Sequence, residues 1–272
     1  MYYAAFATWI PEIYPDFMCI GAPRAATTWL YQKLRDHPQI FLPKAKELHF
    51  FDEEPDTDQN DRSGLRWHRA FYFDMSNPAH FRWYAMQFRK ARNRTKGDIT
   101  PVYSMLSSQR VRLIAEKAPD VKIIYIIRNP IERAWSGLRK TIWYQKGANH
   151  KVKDRAWLLA AIMHPAVLER GNYRRAIETW GEVIPDGNML YLFYDDIVED
   201  PQSELARVCA FLGANRPSGP PASTEDKPVN AAPALRMPDE VRSRLSQHYK
   251  EQIQYLEARF DRDLSHWTHR AG

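Results

Sequence analysis

The chain has 272 residues, enough for one sizeable α/β domain or at most two small ones. Its 44% hydrophobic and 26% charged residues are ordinary for a soluble globular protein. The net charge of +6 indicates a polyanionic partner, and a nucleotide, a sulfated glycan, nucleic acid or a membrane surface would each fit. Because the basic residues are spread along the chain and form no tail, we do not expect nucleic acid.

The N-terminal stretch is rich in aromatic residues, and residues 1–15 are predicted to form an arm packed by these aromatics or by a neighbouring subunit. No apolar run reaches 18 residues, so we expect no membrane span. The two cysteines, Cys19 and Cys209, are predicted to be small core residues, with one disulfide as the alternative. A count of two argues against a secreted disulfide scaffold.

The first motif is FMCIGAPRAATTWL, residues 17–30. Four apolar residues predict a short strand buried on both faces, and small residues then form a turn before a helix that includes Trp29. A helix N-terminus offers free N–H groups and a positive dipole end, and Thr27 and Thr28 add hydroxyl donors, so we predict a phosphate cradle. The Walker pattern is absent, and a turn built only for packing is the alternative.

The second motif is KAKELHFFD, residues 44–52, in which Glu47 lies among two lysines, a histidine and two phenylalanines. Apolar surroundings would raise the pKa of this carboxyl and the cations would lower it, so the sequence leaves the direction open. A carboxylate here could take a proton from an acceptor hydroxyl. The alternative is a surface ion pair with Lys44 or Lys46.

Residues 64–90 interleave eight aromatic side chains with four arginines. Such a pattern could stack sugars or nucleic acid bases. We favour the interpretation that an irregular helical segment packs its aromatic residues on the sheet.

The strongest predicted strand is VKIIYII, residues 121–127, which places Arg128 at its carboxyl end, where ligands bind in open α/β sheets. Asn129 and Pro130 fit the first positions of the next helix. An arginine fork at the strand end and the Ser136 hydroxyl two turns later would suit a phosphate. The alternative is a structural arginine at a helix N-terminus.

Later elements follow the same alternation of strands and helices. The sequence predicts a strand over residues 189–194, a helix over 201–212 ended by Gly213, a loop over 215–233, and an amphipathic helix over 238–260.

The motifs occur in the order GAPRAATTWL, KAKELHFFD, GDITPVY and IIYIIRNPIERAWSGL, and this order resembles the sulfotransferase family. The likeness is to the branch with the heparan-type carbohydrate sulfotransferases and their bacterial relatives, and it covers roughly residues 15–260. It implies transfer of the sulfuryl group of 3′-phosphoadenosine 5′-phosphosulfate to a hydroxyl or amine, without a metal. Many eukaryotic members carry a Golgi membrane anchor, and its absence favours a bacterial-type cytoplasmic enzyme.

The resemblance also implies roles for individual residues. Glu47 is the expected catalytic base, and Arg24 and Lys46 are the other expected catalytic residues. The expected donor-binding residues are Arg24, Ala25, Ala26, Thr27, Thr28, Trp29, Arg128, Ser136 and Lys227. The expected acceptor-binding residues are His49, Thr100 and Tyr103. The pair Asp195 and Asp196 suggests a metal at first sight, but this family transfers sulfuryl groups without one.

We therefore expect one α/β domain over residues 16–262, with three layers, a central parallel sheet of four or five strands and a P-loop-like phosphate turn. The expected function is transfer from 3′-phosphoadenosine 5′-phosphosulfate, with release of 3′-phosphoadenosine 5′-phosphate, by a monomer or homodimer. The expected acceptor is a small molecule or a carbohydrate. A nucleotide kinase and a catalytically silent protein that binds a nucleotide or a sulfated glycan are the alternatives.

Two departures from the family pattern stand out. Relatives usually carry a lysine and then glycines where this chain has Arg24, Ala25 and Ala26, and an alanine at a positive φ would be strained. Some heparan-type members also have a lysine where this chain has Ile99. If that lysine assists catalysis there, another residue takes over its role in this chain or the role is lost.

Overall fold

The computed structural model describes residues 13–53, 72–146, 155–216 and 235–268. Most of the predicted N-terminal arm and Lys227, with most of the predicted loop around it, lie outside the described residues. The predicted boundaries of the domain stay a prediction.

The described chain is organised around a parallel sheet of five strands in the order β2-β3-β1-β4-β5. The strands are β1 (Phe17–Gly21), β2 (Ile40–Phe41), β3 (Thr95–Ile99), β4 (Lys122–Ile127) and β5 (Met189–Phe193). Strands β1 and β4 are apolar and buried almost throughout, because helices flank the sheet. This confirms the predicted α/β fold.

Gly97 of β3 leaves room for the Phe17 side chain of the neighbouring strand β1. It pairs with Phe17 across β1 and β3, and a Cβ at this position would meet the Phe17 ring at 2.1 Å. A larger residue at position 97 would therefore displace the first strand and the turn that follows it.

Helices connect and flank the strands. Their bounds are α1 (Thr27–Arg35), α2 (Pro78–Phe88), α3 (Ser108–Lys117), α4 (Pro130–Lys146), α5 (Arg155–Ile162), α6 (Pro165–Leu168), α7 (Tyr173–Gly181), α8 (Tyr194–Glu199), α9 (Pro201–Leu212) and α10 (Asp239–Phe260). Short 3₁₀ turns cover Pro101–Met105, Glu169–Gly171, Asp186–Asn188 and Ser265–Trp267.

Local sequence signals account for several helix ends. The Asn129 side chain accepts from the Ile131 N–H at 2.9 Å and so caps α4, as predicted. Gly213, at φ 70°, ends α9 because its N–H reaches back to the Ala210 carbonyl in a left-handed turn. The predicted last helix is confirmed, and α10 buries one apolar face.

Other predictions are settled by burial. Cys19 and Cys209 are both buried free thiols, so they are core residues and not a disulfide. Of the aromatic segment predicted over residues 64–90, residues 64–71 lie outside the described residues. In its described part, Tyr84 of α2 is buried and stacks on Phe50 with ring centroids 4.4 Å apart, as expected for aromatic rings packed inward. Within the described ranges, none of the helices has the length and apolar character needed to cross a membrane.

Candidate functional site

The predicted motifs meet at the carboxyl edge of the sheet. The Thr100 N–H donates to the Cys19 carbonyl at 3.1 Å, and the Ala22 N–H donates to the Ile126 carbonyl at 2.9 Å. The Glu47 N–H donates to the Ile99 carbonyl at 3.2 Å. These bonds join the ends of β1, β3 and β4 to the second motif, at the edge where open α/β sheets bind ligands.

The turn between β1 and α1 has the backbone of an anion cradle. Arg24 and Ala26 adopt left-handed conformations, with φ 71° and 61°, and Ala26 caps α1 without any side-chain hydrogen bond. The first N–H groups of an α-helix have no partner within it, so those of Thr27 and Thr28 are available to an anion. Ala25 is fully buried beneath the turn.

The conformation of Ala26 gives a stability prediction. Its methyl group opposes a left-handed backbone, so Ala26→Gly should raise the free energy of unfolding by about 0.5–1 kcal/mol. Ala25→Gly is the matched control: Ala25 has no positive φ, so it should lose stability. Urea denaturation of the three proteins measures this, and destabilisation by Ala26→Gly would contradict the account.

Arg24, Arg128 and Ser136 form one connected group. The Arg24 Nε donates to the Ser136 Oγ at 3.1 Å, and the Arg128 Nη1 donates to the Arg24 carbonyl at 2.7 Å. The Arg128 guanidinium lies 4.3 Å from the centre of the Tyr194 ring, and the Tyr173 hydroxyl donates to the Arg128 carbonyl at 2.6 Å. The structure thus brings the first and fourth motifs together, as the sequence predicted.

Two cations that the sequence analysis did not single out lie on the same helix. Lys140 is one turn beyond Ser136 on α4, and an added Cβ at Gly137 would lie 4.0 Å from the Arg24 Cγ, so this face of α4 points at the cradle. Burial and then the Arg24 charge lower the pKa of Lys140, with Glu47 acting against them. Burial and then the Arg128 charge lower the pKa of Arg139.

The second motif forms a chain of charged groups. Lys46 Nζ contacts Glu47 Oε1, and His49 Nε2 lies 3.5 Å from Glu47 Oε2. On its other side, His49 Nδ1 lies 2.7 Å from the Asp52 carboxylate. The predicted ion pair of Glu47 with Lys46 therefore exists, but within a larger, partly buried array. Asp52 was not predicted, although it follows His49 at a spacing of three residues.

The Glu47 and His49 side chains in this array each have a defined protonation state. Burial raises the pKa of Glu47, but the His49 hydrogen bond and the Lys46 charge outweigh it and lower the pKa to about 2. Burial lowers the pKa of His49, but the Asp52 and Glu47 carboxylates outweigh it and raise the pKa to about 9. At neutral pH Glu47 is therefore a carboxylate and His49 an imidazolium, so of these two groups Glu47 is the one that can accept a proton.

The raised pKa of His49 gives a second prediction. Because this pKa exceeds the usual 6.5, the pairing contributes its full stability below about pH 6.5 and loses it as the pH rises through about 9. His49→Asn suits the test because asparagine tolerates the φ of 56° found here. The stability advantage of the wild type, on the order of 2 kcal/mol at pH 6, should shrink by pH 10 in urea denaturation. A stability advantage of the wild type that does not change with pH would contradict the raised pKa of His49.

Asp98 is a buried hub behind the charged array. Its carboxylate accepts from the Thr100 hydroxyl at 2.7 Å, the Tyr84 hydroxyl at 2.9 Å and the Tyr103 hydroxyl at 3.2 Å. The Tyr103 oxygen in turn accepts from the Phe50 N–H at 2.9 Å, which ties the second motif to β3. Burial raises the pKa of Asp98 to about 6, against these hydrogen bonds.

The placement of Thr100 and Tyr103 corrects a prediction. Both side chains were expected to contact the acceptor, yet both are fully buried and hydrogen-bonded to Asp98. Their hydroxyls support the Glu47 loop from behind and are not presented to a ligand. His49, by contrast, is partly exposed beside Glu47.

The residues present fit an anionic nucleotide donor. Arg24, Arg128 and Lys140 surround a turn whose helix N-terminus has no side-chain cap. Trp29, a predicted nucleotide contact, has a buried Nε1 with no hydrogen-bond partner in the described part of the chain. Asp195 and Asp196 bond instead to Trp267 and Arg262. Across the four described ranges, no cluster of three metal-ligating side chains is found.

The comparisons with known proteins agree with this geometry. The profile of the Sulfotransferase family matches residues 15–218. Mouse heparan sulfate glucosamine 3-O-sulfotransferase 6 is 26% identical over 213 residues, which is 75% of this chain and 53% of the mouse protein. Mouse heparan sulfate glucosamine 3-O-sulfotransferase 3B1 is 26% identical over 213 residues, which is 74% of this chain and 47% of that protein. The chain spans about half the length of these curated relatives.

A solved structure supports the fold. A sulfotransferase from Alicyclobacillus acidocaldarius has a TM-score of 0.69 to this chain at 23% sequence identity. The match covers 94% of this chain and 99% of that one.

Proposed function

We propose that this chain, which belongs to the sulfotransferase family, transfers a sulfuryl group from 3′-phosphoadenosine 5′-phosphosulfate to an acceptor hydroxyl. The single observation that supports this best is that the cationic phosphate cradle and the ionised Glu47 lie at the same edge of the sheet. The cradle follows the end of β1, and the Glu47 N–H donates to the Ile99 carbonyl at the end of β3. Lys140 on α4 lies near both, since the Arg24 charge lowers its pKa and the Glu47 charge raises it.

In this proposal the cradle binds the 5′-phosphosulfate. The backbone N–H groups of Thr27 and Thr28, their hydroxyls and the Arg24 guanidinium hold its oxygens. The same groups stabilise the negative charge that develops on the leaving phosphate oxygen. Arg128 and Ser136 hold the 3′-phosphate and so favour this donor over ATP. The predicted contact of Lys227 stays a prediction.

Glu47 then acts as the base. It accepts the proton of the acceptor hydroxyl as the acceptor oxygen forms its bond to sulfur and the bond from sulfur to the leaving phosphate oxygen breaks. Lys46 and His49 hold the Glu47 carboxylate in place, and Asp52 holds His49. Lys140 supplies a further cation on the α4 side of the cleft, whereas the Ile99 side chain is buried and uncharged.

For the acceptor we infer a chemical class. A hydroxyl on a carbohydrate or on a small molecule suits a carboxylate base. The cytoplasmic location and the monomeric or dimeric state stay predictions from the sequence.

The test is a transfer assay with the purified chain and donor carrying a radiolabelled sulfuryl group. A panel of carbohydrate, lipid and phenolic hydroxyl acceptors should include one that gains label while 3′-phosphoadenosine 5′-phosphate is released. Transfer of phosphoryl groups from ATP would favour a kinase. Tight nucleotide binding without transfer to any acceptor would favour the catalytically silent binding protein.

A further inference from the structure

A basic groove lies at the opposite end of the sheet from the catalytic cleft. It has a volume of about 1290 Å³ and is lined on one side by the segment that joins α2 to β3. This segment, residues 89–96, reads RKARNRTK, and Arg89, Lys90, Arg92 and Arg94 all line the groove. Thr95 begins β3, whose carboxyl end reaches the site, so the groove faces away from it.

The walls of the groove are fixed by hydrogen bonds. Arg94 is held by the Ala91 carbonyl at 3.2 Å and the Lys90 carbonyl at 3.0 Å, and its guanidinium covers the Phe41 ring at 4.9 Å. The Gln39 carbonyl accepts from the Thr95 N–H at 2.9 Å, which joins the residue before β2 to the first residue of β3. The backbone at the base of the groove and the Arg94 side chain are therefore fixed by the fold.

The charges of the groove are not balanced within the described protein. Arg89, Lys90 and Arg92 are exposed and make no ion pair with any carboxylate of the described ranges, and no described lining residue is acidic. The dipole at the end of α2 accounts for cations at positions 89 and 90. It does not account for Arg92, which is held at φ 56°, a conformation that non-glycine residues adopt at a cost.

The lining also indicates the kind of anion. None of the described lining residues is aromatic, so the groove offers no surface for stacking nucleic acid bases. It also lacks the large apolar side chains with which a helix enters a bilayer. It does offer the side chains of Asn93 and Thr95 beside the cations, together with the amide N–H groups of Gln39, whose Oε1 already accepts from the Asn215 N–H at 2.7 Å. These groups suit a ligand that alternates hydroxyl and anionic groups.

We propose that this groove binds a linear anionic polysaccharide, with sulfate or carboxylate groups on the cations and sugar hydroxyls on the polar side chains. The groove is larger than the usual small-molecule pocket, which suits an extended chain. This binding is separate from the transfer reaction and does not depend on the proposed function.

The test is calorimetric titration of the whole chain with a size-defined heparin fragment, with the catalytic cleft saturated by 3′-phosphoadenosine 5′-phosphate. The triple variant R89Q/K90Q/R92Q should weaken binding at least about tenfold and reduce the salt dependence of the affinity by on the order of two to three counterions. Its urea denaturation should stay cooperative with an unchanged midpoint, which shows that it folds.

The matched control is R112Q/R244Q/K250Q, which removes the same charge from exposed positions on α3 and α10. It should alter heparin binding less than about twofold. Equal losses in the two triple variants would overturn the proposal, because binding would then follow net charge alone. Tighter binding to duplex DNA or to anionic phospholipid vesicles than to heparin would also overturn it.

Discussion

Glu47→Gln is expected to lower kcat by ~10² to 10⁴-fold, the usual contribution of a general base. Glutamine keeps the size of the side chain and can still accept a hydrogen bond from Lys46, but its amide cannot take the acceptor proton. His49 is not expected to replace it, because Asp52 stays in place in the variant and still raises the pKa of the imidazole. Steady-state kinetics at saturating donor measure the effect.

The same variant should bind 3′-phosphoadenosine 5′-phosphate with nearly unchanged affinity, because Glu47 is not among the predicted donor ligands. Glu182→Gln is the matched control, since Glu182 is exposed and remote in sequence from every predicted motif. Full turnover by the Glu47→Gln enzyme would show that Glu47 is not the catalytic base. A parallel loss of nucleotide affinity would assign it to binding.

Arg24→Ala is expected to lower kcat by ~10² to 10³-fold, the usual effect of removing one donor that stabilises charge in the transition state. The Arg24 side chain is anchored on Ser136, and its carbonyl accepts from Arg128. Truncation removes the cation nearest the cradle but keeps this carbonyl, so the position of Arg128 is retained. Turnover and nucleotide affinity measured separately distinguish catalysis from binding.

Arg24→Lys should retain or raise turnover, since lysine keeps the charge with less bulk and is the residue that relatives usually carry. It is the control for charge at this position. If it abolishes turnover while nucleotide still binds, the two cations are not equivalent, and the hydrogen bond from Arg24 Nε to Ser136 is the required feature.

The elements most readily predicted from sequence were those with a strong local signal. Strands β1 and β4 are continuous apolar runs, and α10 repeats its buried residues at helical spacing. The cap of α4 by Asn129 and the end of α9 at Gly213 depend only on neighbouring residues. The strain expected at an alanine in the cradle is matched by the φ of 61° at Ala26.

The features of the site that could not be predicted from the sequence depend on contacts between residues far apart in the chain. The bond from the Phe50 N–H to Tyr103 joins residues 53 positions apart, and it holds Tyr103 behind the loop, where its side chain is fully buried. Likewise, Arg128 and Arg24 are 104 positions apart. The direction of the Glu47 pKa was open because burial and cations oppose each other, and only the positions of Lys46 and His49 decide it.

The central claim is that the cleft selects a 3′-phosphorylated nucleotide, and calorimetric titration with 3′-phosphoadenosine 5′-phosphate tests it most directly. ATP serves as the control ligand, and Arg128→Ala and the exposed Arg112→Ala serve as paired variants. We predict binding of the first nucleotide only, weakened at least about tenfold by Arg128→Ala, since hydrogen bonds to charged groups contribute about 1.5–3 kcal/mol. Absence of binding, or equal binding of ATP, would contradict the account.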